Sequence, residues 1–353
     1  MKFRTIILTY SLFAFLLACN PGQKEEVPLD KINLKLDFSR FDVRLYEAVN
    51  AIRKDSTLPD TSLYSKYLKA DRPFVVDWFF AGYDSIASDS LAALGFVQLF
   101  LRDPKVMELL DTVEAHFPDN EDLEKRLTDP FKRFSFYFPD APVPKIRTYV
   151  SGFEGSAASG TDELYFSREY LGIGLHYFLG HDCPWYPPDL PGYLRKRLDE
   201  KYLEILIFKG LAQNILNQKK QDAVTPRLLD EMISSGVSLY FLDKMLPHSP
   251  DSLKIFYTPV QWDWARFYEA RIYKEVLPHL FETNHVVIQN YIGESPYTKG
   301  LDMESAPRIG EFCGWKIVNA YMKNHPEISL AELMENHDPE IILKESRYKP
   351  KGE

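Results

Sequence analysis

Residues 203–216 read LEILIFKGLAQNIL. Leu203, Ile207, Leu211 and Ile215 recur every fourth residue, with Phe208, Ala212 and Leu216 beside them, which is the period of an α-helix with a wide apolar stripe. A helix apolar over so much of its circumference belongs inside a protein. Its surroundings extend the pattern. Leu228 to Leu246 repeats the helical period and is stopped by Pro247 and Pro250. Thr258 before Pro259 is an N-cap followed by proline at the first helical position, and that helix ends or kinks near Pro278. Pro307 can open a further helix to about Lys323, and Ser329 with Glu332 forms a capping box for the last one. Upstream, helical periods run from Asp42 to about Phe138.

Strand patterns are few. INLKLDFSRFD (32–42) alternates at Ile32, Leu34, Leu36 and Phe38, and Val143 to Ser151 alternates with Ile146, Thr148 and Val150 on one face. In SGFEGSAASGTDELYFSREYLGIGL (151–175), glycines and small residues separate two short apolar runs, which predicts hairpin or edge-strand material beside a cleft. GHDCPWYPPDLPGYLRKRL (180–198) carries four prolines and predicts an irregular surface loop. The expected fold class is α+β, predominantly helical with a small sheet, in one globular domain over residues 31–353.

Composition bounds the function. The 353 residues are 45% hydrophobic and 26% charged, with 42 basic against 51 acidic side chains and a net charge of −9. Nucleic acid is excluded as a partner, because phosphate contacts need a concentrated basic face. Three cysteines cannot supply a disulfide scaffold.

The N-terminus reads as an address. Lys2 and Arg4 precede the uncharged apolar run Ile6 to Leu17, 12 residues long where a spanning helix needs about 20. The run ends in Leu16-Leu17-Ala18-Cys19, which looks like a bacterial lipobox. Residues 1–18 are then a lipoprotein signal peptide, and residues 19–30 a lipidated Cys19 with a flexible tether. The expected location is the cell envelope of a Gram-negative bacterium, with the protein held to a membrane by its N-terminal lipid. Loss of Lys2 and Arg4 leaves 40 basic against 51 acidic side chains, or −11, so net charge does not hold the body to anionic lipid.

Catalytic motifs are sparse. There is no HExxH, Gly-x-Ser-x-Gly, Walker loop or dinucleotide fingerprint. His176, His181 and Cys183 (HYFLGHDC) form the tightest group of potential zinc ligands, but the intervening Gly180 and following Pro184 set no defined geometry. Ser151, Ser156 and Ser159 lack a histidine that spacing can assign to them. Adjacent acids at Asp162/Glu163, Asp199/Glu200 and Asp230/Glu231 read as solvated surface. Trp185, Tyr186, Trp262 and Trp264 read as core and rim packing, with stacking on a sugar as the alternative. Cys183 and Cys313 allow one disulfide pairing in an oxidising compartment. No cofactor or metal is expected.

Several segments together carry a resemblance. RFDVRLYE from Arg40, YVSGFEG at 149–155, YLGIGLHYFLG at 170–180, MISSGVSLYFLDKMLPHSPDSLKIFYT at 232–258, IGESPYTKGLDMESAPRIGEFCGWKIVNAYM at 292–322 and the closing SRYKP occur in this order. The chain resembles the gliding-motility lipoprotein GldB family of Bacteroidetes over about residues 31 to 350. The motif positions are Gly152, Gly155, Gly174, Gly180, Pro307, Arg308, Gly310, Gly314 and Trp315, and the run from Pro307 to Met322 is the most specific. The resemblance implies a role in surface gliding, with partners among the gliding and type IX secretion envelope proteins.

It also implies a distant likeness to zincin-type metallopeptidases, and hence a degenerate zincin-like scaffold. In a zincin, two histidines four apart on one helix face bind zinc and a glutamate beside them acts as base. The helix quoted at the outset is the counterpart, where Lys209 and Gln213 replace the ligands and Gly210 the base. The third ligand would fall near Ser235-Gly236, where no carboxylate occurs. The expectation is a pseudoenzyme, with a zinc hydrolase using His176, His181 and Cys183, or a glycan- or peptide-binding lipoprotein, as alternatives. Gly310 and Gly314, four apart, allow close helix packing or a binding surface.

Overall fold

The computed structural model describes residues 27–79, 95, 97–119, 121–151, 163–217, 225–336 and 338–350. The signal peptide, Cys19, Gly152, Gly155, Ser156, Ser159 and Asp162 lie outside the described residues. The protein is predominantly helical with one four-stranded sheet, as the periodicities predict. Among the described residues the strands are β1 (Phe38–Arg40), β2 (Lys145–Tyr149), β3 (Leu164–Phe166) and β4 (Tyr170–Gly174). Helices of eight or more residues are α1 (Phe41–Lys54), α2 (Arg72–Phe79), α3 (Pro104–His116), α4 (Asp122–Tyr137), α5 (Leu203–Asn217), α6 (Leu228–Met245), α7 (Pro259–Phe267), α8 (Glu269–Val276), α9 (His285–Ile292), α10 (Ile309–Asn324) and α11 (Pro339–Ser346). No helix among them is long and apolar enough to cross a membrane.

The sheet order is β1-β2-β4-β3, with the first three parallel and β3 antiparallel at the edge. The first strand is shorter than its alternation predicts. Leu36 is buried while Lys35 and Asp37 are exposed, yet only Phe38 to Arg40 pair with β2, and the Asp37 carbonyl accepts from the Ile146 N–H at 2.7 Å, so 32–36 keeps the alternation of burial without a ladder. Where β1 passes into α1, Arg40 forks onto Asp42 at 2.9 and 2.7 Å, and also donates to the Phe117 carbonyl at 3.1 Å. Both partners are buried, so the first two residues of the family run RFDVRLYE with charged side chains fasten the start of the fold.

Residues 27–30, expected as tether, already belong to the body. Val27 is buried, and Leu29–Lys31 forms a short 3-10 turn. The prediction for α5 holds: Leu203, Ile207, Phe208, Ala212 and Leu216 are buried, with Leu211 and Ile215 half-buried. Thr258 and Ser329 cap their helices as predicted, each with its partner at the third position, Gln261 or Glu332. Helix α8 ends at Val276, and a 3-10 turn carries Pro278. Pro307 stands two places before the first residue of α10, Ile309, because Arg308 takes the N-cap.

The centre of the helical layer is the crossing of α6 and α10. A Cβ on Gly236 would lie 2.4 Å from the backbone carbonyl of Gly314, and a Cβ on Gly314 would lie 1.8 Å from the Met232 carbonyl oxygen. The two backbones touch, which only glycine permits. Gly310 extends the contact toward α9, where a Cβ would meet Ile292 at 2.8 Å. This pair of glycines therefore serves packing. Trp315, one residue on, donates its indole N–H to Asp243 at 2.8 Å, and Asp243 also takes the buried Lys254 ammonium at 2.7 Å. Cys183 and Cys313 are both buried free thiols, so the one possible pairing is not made.

Candidate functional site

Charge gathers where three chain segments meet: the end of the proline-rich loop, the turn before α7, and the segment joining α9 to α10. Arg197 follows a short helix, Gly192–Arg195. Glu294 follows α9, Arg308 caps α10, and Glu311 lies in its first turn. Arg308 is almost wholly buried, with 1% of its surface exposed. Its Nη1 donates to Glu294 at 2.7 Å, its Nη2 donates to the Ile255 carbonyl, and its Nε stands 3.5 Å from Glu311. Arg197 binds the same Glu294 carboxylate from the other side, through Nη1 at 2.7 Å and through Nη2. Burial alone would raise the Glu294 carboxyl, but hydrogen bonds from Arg197 and the charges of both arginines hold it down at about 2.

Phe256 organises the cations. Its ring has Arg197 at 4.4 Å, Lys209 at 4.8 Å and Arg308 at 5.8 Å from its centre. Phe256 and Arg308 both adopt left-handed backbone, with φ of 55° and 49°, a conformation that costs a non-glycine residue about 1–2 kcal/mol. Tyr257 helps to hold that backbone, donating its hydroxyl to the Pro307 carbonyl at 2.7 Å. Strain of this kind persists only where surrounding contacts over-determine it, and it concentrates at functional sites. Beside the cluster opens a cavity of about 470 Å³, lined among others by Tyr193, Lys196, Arg197, Tyr202, Phe256 and Arg308.

The zincin positions fall apart in this setting. Lys209 is mostly buried and lies 3.8 Å from Glu311. Burial lowers the Lys209 pKa, partly opposed by Glu311. Gly210 packs under the edge strand, where a Cβ would lie 2.6 Å from the Phe166 ring. Gln213 is exposed, Ser235 is half-buried, and Gly236 is taken up by the α6–α10 crossing. Among the described residues no group of three His, Cys, Asp or Glu side chains comes together in a way that could hold a metal ion. His176 is buried, whereas His181 is 55% exposed beside Asp182 at 3.2 Å. The aromatic residues pack: Tyr186 is buried, Trp185 donates to Thr112 at 3.2 Å, and Trp262 stacks near Phe312 and Trp315. The acid pairs are engaged too, Asp199 as an N-cap, Glu200 on Arg126 and Asp230 on Arg227.

Spacing alone gives Ser151 no partner, but the structure does. Its hydroxyl lies 3.1 Å from Nε2 of His176. The reason is sheet register: β2 and β4 run parallel with Tyr149 opposite Gly174, so two residues further along Ser151 meets His176. A Cβ on Gly174 would lie 3.1 Å from the His176 ring and 3.2 Å from the Tyr177 ring, a tight approach. Burial, opposed in part by a hydrogen bond to the Tyr149 backbone, pulls the imidazole pKa down to about 3. A general base works best with a pKa near the operating pH, so this neutral ring is better suited to tying strand ends together than to taking protons. Between pH 6.5 and 3 the unfolded chain binds a proton here that the folded chain does not, so the contribution is whole above pH 6.5 and shrinks as the pH falls. We expect the stability of the wild type to fall faster than that of His176→Gln from pH 6.5 to 4, by up to about 1.4 kcal/mol per pH unit. Urea unfolding at several pH values checks this; parallel curves would refute it.

A family model described as gliding motility protein GldB matches residues 22–350. Comparison with curated proteins gave no match, and neither did comparison with solved structures.

Proposed function

The chain belongs to the gliding motility protein GldB family, and from that premise we propose that it is a lipid-anchored, non-catalytic component of the gliding apparatus that works through protein contacts. On this reading Cys19 carries the lipid, the body stands at the envelope, and its partners are proteins shared by gliding and type IX secretion. The scaffold is, in the same proposal, a zincin relative in which the first ligand position, Lys209, has been given over to a charge cluster. Lys209, between Glu311 and the Phe256 ring, supports that view, since an ammonium group has no lone pair for zinc.

The observation that carries the protein-contact role is the distribution of exposed apolar side chains. Nine large ones are strongly exposed among the described residues, and six of them fall between 260 and 303: Val260, Phe267, Leu277, Phe281, Val286 and Met303. All six lie on one stretch of chain, from α7 to the segment before α10, and exposed apolar side chains that gather in one patch mark an interaction surface. The double variant Phe267→Asp/Phe281→Asp is expected to abolish colony spreading with an unchanged melting temperature, while Gln213→Ala spreads like the wild type. Normal spreading of the double variant, or loss of spreading with Gln213→Ala, would overturn the proposal.

A further inference from the structure

The cavity beside the Phe256 cluster has three cations in its lining, Lys196, Arg197 and Arg308, and no carboxylate. That is unusual for a chain with a net charge of −9. Glu294 bridges the two arginines and removes one charge, while Lys209 and Glu311 balance each other. Lys196 is exposed and its ammonium has no ion pair or hydrogen bond with the described residues, which leaves the pocket with a surplus of two positive charges. The arginines show what this corner recognises, because they already seat one carboxylate of the protein itself, on Arg197 by two nitrogens. The remaining walls carry the rings of Tyr193, Tyr202 and Phe256, with the neutral polar side chains of Thr258, Gln261 and Ser295 beside them. A cavity of about 470 Å³ is of the size that holds a small molecule.

We propose that this pocket binds a small organic dianion, a phosphate monoester carried on a flat apolar body. A phosphate monoester brings about −1.5 to −2 charges at neutral pH, matching the surplus. Lys196 supplies an ammonium donor for its oxygens, Arg197 adds its charge from the same wall, and the aromatic walls take the apolar body. Arg308 has both Nη groups engaged, on Glu294 and on main-chain carbonyls, and so acts through its charge from a buried position. Phe267 and Phe281, substituted to test the protein contacts, are not in this lining, so the two readings fail separately.

Calorimetric titration of the full-length protein in detergent micelles tests the proposal, with phenyl phosphate, inorganic phosphate, benzoate and benzyl alcohol as probes. Phenyl phosphate is expected to bind saturably and more tightly than the other three, with affinity falling as salt is raised. Lys196→Glu removes one attraction and adds one repulsion, so it is expected to weaken phenyl phosphate about tenfold without moving the melting temperature. Lys196→Gln is expected to fall between the two. The absence of saturable binding up to about 10 mM phenyl phosphate would overturn the site. Benzoate binding as tightly as phenyl phosphate, or Lys196→Glu binding as the wild type does, would overturn it equally.

Discussion

Gly314→Ala is expected to destabilise the protein by roughly 3 kcal/mol, at the upper end of the cost of overpacking a core. Alanine would gain about 1 kcal/mol over glycine within an isolated helix, so helical propensity alone predicts the opposite sign. Packing decides because the new methyl group would sit 1.8 Å from the Met232 carbonyl oxygen. That atom is main chain and cannot rotate away, so α6 and α10 must move apart. Their separation would loosen the contacts of Trp315 with Asp243 and of Gly310 with α9. Gly236→Ala meets the same crossing from the other side, at 2.4 Å from Gly314. The two substitutions should therefore be less than additive, since one displacement accommodates both. Urea unfolding of the two single variants and the double variant measures this, and a Gly314→Ala protein as stable as the wild type would show that the helices do not touch.

Arg308→Leu is expected to cost about 3–5 kcal/mol, the usual penalty for removing one partner of a buried ion pair. Glu294 is 42% exposed on its side chain and keeps Arg197, but Glu311 is only 10% exposed and keeps just the Lys209 ammonium at 3.8 Å. The Ile255 carbonyl also loses its donor. Leucine keeps the strained left-handed backbone at this position, so no relief of strain offsets these losses. Adding Glu311→Gln to Arg308→Leu should recover part of the stability, because a neutral amide is less costly to leave buried. A double variant less stable than Arg308→Leu alone would place the cost elsewhere.

The helices were largely legible because each carries its own signal. Thr258 with Pro259, Ser329 with Glu332, and the fourfold apolar repeat from Leu203 are local patterns, and local hydrogen bonds satisfy them. The edge pair β3–β4 was legible too, from two short apolar runs after a glycine-rich stretch. The first strand was over-read, since alternation reports burial of one face and not the presence of a neighbour. The charge cluster could not be read at all. Arg197, Lys209, Phe256, Glu294 and Arg308 are scattered over more than a hundred residues, and no period links them. Arg308 was found only through the family resemblance, which marks a position without giving its reason, whereas the four-residue spacing of Gly310 and Gly314 already pointed to close packing. Ser151 and His176 needed the parallel register of β2 and β4, which no single strand contains.

Val27, already packed into the body, sets the length of the leash. With the lipid on Cys19, only eight residue steps separate the membrane surface from the folded protein, and a fully extended chain covers at most about 3.6 Å per step, or roughly 30 Å. A folded body of some 320 residues has a radius of gyration near 20 Å, so its diameter exceeds that reach. If Cys19 is lipidated as proposed, the protein would not swing freely to meet a partner in the bulk of the compartment. The short leash would then work as a filter on its company, favouring components that are themselves seated in or on the same membrane.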